Sequence, residues 1–125
     1  MINAKLPMLN KKRDIHERIY KFSLSVLDLI KIFPKSTENI VLVKQLIRSA
    51  TSIGANASEA DGAESKKEFI QRFTIAKKEA KETFYWLSLL SDHNPFLKAK
   101  ISSIWQENKE LIAIISKIIL NAKHK

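Results

Sequence analysis

A run of small residues between Gln45 and Glu82 constrains this chain more than any other feature. Ser49, Ala50, Ser52, Gly54, Ala55, Ala57, Ser58 and Ala60 fill its first half. Gln45, Arg48, Asn56 and Glu59 recur among or just before them. Asp61-Gly62 interrupts the pattern, Ser65 restarts it, and Glu79 and Glu82 follow. Such short side chains let two backbones come close, so the stretch predicts a helical hairpin whose arms share buried polar pairs. Gly54 inside a helix costs about 1 kcal/mol against alanine, and close packing of another backbone is the usual compensation.

The rest of the 125-residue chain fits one all-α domain around one core. Two glycines and three prolines leave little room for the turns of a sandwich or barrel. Apolar residues instead recur at three-and-four spacing, which predicts helices over about 14–33, 37–60, 66–91 and 96–121. Asp14 suits the positive end of the first helix, and Pro34 disfavours helical geometry at Phe33. Ser36 or Thr37 can cap the second helix. Ser65-Lys66-Lys67-Glu68 has the form of a capping box. Asn94 can cap the fourth helix with Pro95 at its first position. Short connections make the expected architecture an antiparallel up-down-up-down four-helix bundle, with helices of some 30 Å at about 1.5 Å per residue. Residues 1–13 read as a basic arm, and 123–125 as a fraying end.

Beyond residue 110 the segment LIAIISKIIL is apolar nearly all round. A helix of that kind needs cover on more than one side. The sequence therefore predicts a homo-oligomer whose interface includes Leu111, Ile112, Ile114, Ile115, Ile119 and Leu120.

Little in the sequence supports a reaction. There is no cysteine, which excludes disulfides and thiolate chemistry. His16, His93 and His124 fall at a helix start, a loop and an end, without the Glu-x-x-His spacing of bundle metal sites. No glycine loop could cradle a phosphate. Neither a metal nor a cofactor is expected. Glu79 and Glu82 lie three residues apart on one helix face, where paired carboxylates could act as acid and base. Counting outward from a turn near Ala63 places Arg48 opposite Glu79, so a bidentate structural bond is preferred. If that pair is buried, removing Arg48 should cost about 3–5 kcal/mol. Asn56 and Glu59 are expected to bond across the hairpin or to fix the helix end.

Formal net charge is +9, mostly from lysine, which favours encounter with polyanions. Lys66, Lys67, Lys77, Lys78 and Lys81 fall on the third helix, and Lys11, Lys12 and Arg13 on the arm. These eight residues are candidate phosphate contacts for RNA or DNA, salt-sensitive and weak in sequence preference. Tyr85 and Trp86 could stack on bases, although aromatics at helical spacing more often serve core or interface. No signal-peptide core is visible, and the longest apolar run, Leu111–Ile115, is too short to span a bilayer. A soluble cytoplasmic protein with no membrane contact is expected.

The middle of the chain resembles the four helix bundle protein family named for open reading frames in 23S ribosomal RNA intervening sequences. Gln45, Arg48, Ser52, Ile53, Asn56, Glu59, Ser65, Phe69, Ile75, Ala76, Glu79 and Glu82 carry the resemblance. Departures fall at Ala57-Ser58, at Ala60 and at Lys77-Lys78. The resemblance implies a bundle that assembles as a ring, typically a homopentamer, with no established enzymatic activity. Accessory proteins of diversity-generating retroelements look like the same ring and bind nucleic acid through a basic surface. The expected function is a non-enzymatic oligomer that binds RNA or other nucleic acid. The alternative is a structural or protein–protein interaction module whose charge is solubilising.

Overall fold

The structure is a computed structural model that describes the backbone of residues 11–125 and side chains from Ile15 onward. The described residues form four α-helices and no strand: α1 (Lys11–Leu29), α2 (Thr37–Asp61), α3 (Lys66–His93) and α4 (Lys98–Lys123). Residues 1–10 of the expected arm, and the side chains of Lys11, Lys12 and Arg13, lie outside the described residues. The backbone of Lys11–Arg13 is already helical, so α1 starts three residues earlier than the charge pattern suggested.

Local chemistry sets the other boundaries. After Leu29 the chain tightens into a 3-10 turn, Ile30–Ile32, and Phe33 is extended at φ −74° and ψ 134°. That is the geometry a following proline demands. Ser36 caps α2 by accepting from the Asn39 amide at 3.1 Å. Ser65 caps α3 by accepting from the Glu68 amide at 3.0 Å. Glu68 reaches back to the Glu64 amide at 3.2 Å instead of to Ser65, so the box closes one residue early. Pro95–Leu97 form a 3-10 turn ahead of α4. Asn94 does not cap α4, because its side chain is used inside the protein.

That use ties three segments at one end of the bundle. The side-chain amides of Asn39 and Asn94 donate to each other's oxygens, both at 3.0 Å. Asn39 also donates to Pro34 O, and Asn94 to Leu90 O. Both residues are buried. Every polar atom of the two amides thereby has a partner, which is the condition under which buried amides stabilise.

Each helix packs on its neighbour in sequence, and α1 closes against α4. Along the α2–α3 contact, Ala50, Ala57, Ala76 and Ala80 are almost inaccessible to solvent. Thr83 Oγ1 donates to Ser49 Oγ at 2.8 Å, and Ser49 Oγ in turn donates to Leu46 O, so the hydroxyls at this close approach are satisfied. Gly54 faces the other way. A Cβ there would sit 3.3 Å from Ile19 Cγ2, so its neighbour is a side chain of α1 and not a backbone.

The expected interface on α4 needs correction. Leu111 and Ile115 are fully buried and Ile119 nearly so, all inside the chain's own core. Ile112 and Ile114 are half-buried against that core, and only Leu120 is exposed. The cause is that α1 and α3 both pack on α4 and cover its apolar segment from two sides. Among the described residues no helix is long and apolar enough to cross a membrane.

Replacing Asn94 with alanine leaves the Asn39 amide short of a partner and should cost about 1–3 kcal/mol. Asn39→Ala combined with Asn94→Ala should cost less than the sum of the two single changes, as read from urea unfolding midpoints. Additive costs would show that the pair is not coupled.

Candidate nucleic-acid interface

The polar residues of the hairpin come together, but at the surface. Arg48 Nη1 lies 3.4 Å from Glu79 Oε1, and Arg48 Nη2 pairs with Glu82 Oε2. Arg48 Nε donates to Gln45 Oε1 at 3.2 Å. Glu82 also accepts from Trp86 Nε1 at 3.0 Å. The register expected from the turn is therefore realised, with Glu82 as a second partner. The expected burial is not: the Arg48 side chain keeps 47% of its exposure. A long side chain beside a shallow seam of small residues extends outward along it. Asn56 does not cross the hairpin. It donates to Ser52 O at 2.9 Å within α2. Glu59 does cross, to Arg72 Nη1 at 3.1 Å. Arg48→Ala should consequently cost less than about 1 kcal/mol in urea unfolding. A loss of about 3 kcal/mol or more would mean that the seam is covered in the native assembly.

A second arginine joins α1 to α4. Arg18 Nε and Nη2 donate to the two oxygens of Glu107 at 2.6 and 2.8 Å, and Nη2 also reaches Glu110 at 2.6 Å. This fork grips its carboxylate in the bidentate manner that lysine cannot reproduce. The hydrogen bond from Arg18, and then that from Gln106, holds the Glu110 carboxyl below the usual carboxylate range. The folded form thus ionises more readily than the unfolded one. The contribution is present above the usual range and is lost as pH falls through the depressed value. Glu110→Gln should therefore flatten part of the acid-side fall in stability, measured by urea midpoints from neutral pH down to about pH 3. An unchanged pH profile would show that the bond is not linked to folding.

The lysines are placed differently. Lys66, Lys67, Lys78 and Lys81 are exposed on α3, and Lys77 is half-buried beside them. At 100° per residue these positions span about 120° of α3, with Lys67, Lys78 and Lys81 on the side away from its core stripe and Lys66 and Lys77 at the edge of that stripe. Among the described residues, none of the five lies within ion-pair distance of a carboxylate side chain. Lys66 Nζ donates to the carbonyl of Lys125. Two further lysines were not singled out in the sequence. Lys109 and Lys117 are exposed on α4 at i, i+8 spacing, and Lys109 Nζ sits 4.9 Å from the centre of the Trp105 ring. Trp105 packs on Phe84 of α3 with ring centres 4.9 Å apart and donates to Ser88 Oγ at 2.9 Å. That contact brings Lys109 to the seam between α3 and α4.

The histidines stay apart. His16 Nε2 is 3.1 Å from Asp61, and His93 Nε2 is 3.6 Å from Glu38. Among the described residues no group of three or more histidine or acidic side chains gathers to hold a metal. Among the described residues the geometry offers ion-paired seams and a face of lysines without acidic partners, which can attract an anionic polymer.

The model of the 23S rRNA-intervening sequence protein family matches residues 11–117. The chain is also similar to the crystal structure of a protein with unknown function from the S23 ribosomal protein family of Bacteroides thetaiotaomicron VPI-5482. That similarity has a TM-score of 0.77 and 35% sequence identity, over 84% of this chain and 97% of that one. No curated protein matches the chain.

Proposed function

The chain belongs to the 23S rRNA-intervening sequence protein family, and from that premise we propose that it is a non-enzymatic oligomeric protein of the cytoplasm that binds RNA through the lysine face of α3. One observation carries this reading. The described arginines are engaged with carboxylates in the seams, whereas Lys67, Lys78 and Lys81 are exposed on α3, and neither they nor half-buried Lys77 has an acidic partner among the described residues. Cations left unneutralised on one side of a +9 chain set up the field that draws in phosphates. Lys109 extends the same side onto α4.

In this reading the bundle is up-down-up-down, and copies close into a ring, with five as the number the family resemblance implies. Apolar surface available for that contact includes Leu89 on α3, Phe96 ahead of α4 and Leu120 on α4 as well as positions on α1 and α2. Tyr20, Leu24 and Leu27 are exposed on α1, and Ile40 and Val41 on α2. A ring would repeat the lysine face around its circumference, so several weak phosphate contacts would act together.

The test combines light scattering with titration of a labelled ribosomal RNA fragment at rising salt. The expected particle holds several chains, gains RNA mass, and loses affinity linearly in log salt. The triple variant Lys67→Glu, Lys78→Glu, Lys81→Glu should keep the particle mass while lowering the salt slope by roughly 1 per lysine removed. Absence of binding even at low salt would overturn the reading in favour of a protein-interaction role.

A further inference from the structure

Tyr85 is the feature of α3 that phosphate attraction does not explain. Its side chain is large, apolar over most of its surface and 58% exposed. It stands one turn beyond Lys81 and two turns beyond Lys78 on the lysine face. Its ring is also supported. Trp86 meets it edge-on, with centres 5.0 Å apart and planes at 74°. Trp86 is fixed by its bond to Glu82, and Glu82 is held by Arg48 from the neighbouring helix. Gln45 completes the line by accepting from Arg48. A chain of contacts from α2 thus ends on a ring that is oriented but left open to solvent.

We infer that Tyr85 is a stacking platform for an unpaired base, and that the lysine face takes single-stranded RNA in preference to duplex. The inference rests on the proposed RNA binding and deepens it. A duplex presents its phosphates and groove edges while its base faces are hidden in the stack. An exposed ring beside lysines gains nothing extra from such a partner. A single strand offers both groups at once, a phosphate to Lys78 or Lys81 and a base face to Tyr85. Because Trp86 already orients the ring, little rotamer freedom is lost on binding. Arg48, Glu82 and Trp86 are then positioning residues for the platform, which gives the exposed α2–α3 seam a role beyond modest stability.

The experiment compares a labelled pyrimidine oligoribonucleotide of about 15 nucleotides with the same strand annealed to its complement. Wild type should bind the single strand more tightly. Tyr85→Ala should weaken single-strand binding about five- to hundred-fold, the range that loss of one stacked base gives. It should leave duplex affinity, salt slope and particle mass unchanged, and Tyr85→Phe should restore binding. The inference is overturned if Tyr85→Ala leaves single-strand affinity intact or weakens both probes equally. It is also overturned if that change alters the particle mass, which would make Tyr85 an interface residue. If wild type binds neither probe, the parent reading fails as well.

Discussion

The close approach of α2 and α3 governs the rest of the molecule. Ala50 and Ala57 on α2, and Ala76 and Ala80 on α3, are almost inaccessible to solvent, and side chains that short let the two backbones come close. Interiors are packed to crystal-like density, so this contact has one register at which small residues interlock. The buried Ser49–Thr83 hydroxyl pair marks that register across the two helices, while each hydroxyl also lies within reach of a carbonyl of its own helix, Leu46 O and Glu79 O. The flanking pairs, Arg48 with Glu79 and Glu82, and Glu59 with Arg72, then follow from geometry. They are consequences of the hairpin more than causes of it.

The hairpin was legible in the sequence for the same reason. Its partners are joined by a short turn, so counting outward from Ala63 pairs Arg48 with Glu79. The caps at Ser36 and Ser65 were legible because they act within three residues. Contacts between distant segments left no such trace. Arg18 and Glu107 are 89 residues apart, and Asn39 and Asn94 are 55 apart. Nothing in local spacing distinguishes these side chains from surface polar residues, and Asn94 was read as a cap on that account. The C-terminal half of α4 misled in the opposite way. Its all-round apolarity signalled cover on two sides, and α1 and α3 of the same chain supply that cover at Leu111, Ile115 and Ile119, while Leu120 stays exposed. Of the candidate site, the α3 lysines were visible as a helical pattern. Lys109 was not, because its place at the seam depends on Trp105 reaching across to Phe84 and Ser88.

The two kinds of cation do different work here. Arginine has a planar fork and is weakly hydrated, which suits it to fixed pairs across a seam. Arg18 uses that fork on two carboxylates at once. Lysine is a compact, strongly hydrated charge on a flexible stem, and is most at ease in water. Glu59, Glu79, Glu82, Glu107 and Glu110 pair with the arginines at the seams, while Lys21, Lys31 and Lys98 pair with acidic residues elsewhere.

This separation means that fold and field are carried by different residues. A substitution that alters an arginine pair touches a contact between helices, at the modest cost expected of an exposed pair. A substitution of Lys67, Lys78 or Lys81 touches only solvent. Reversible neutralisation of those amines by acylation would change the potential of the surface while leaving the bundle intact. The four helices can thereby keep one shape while the charge carried by those amines changes.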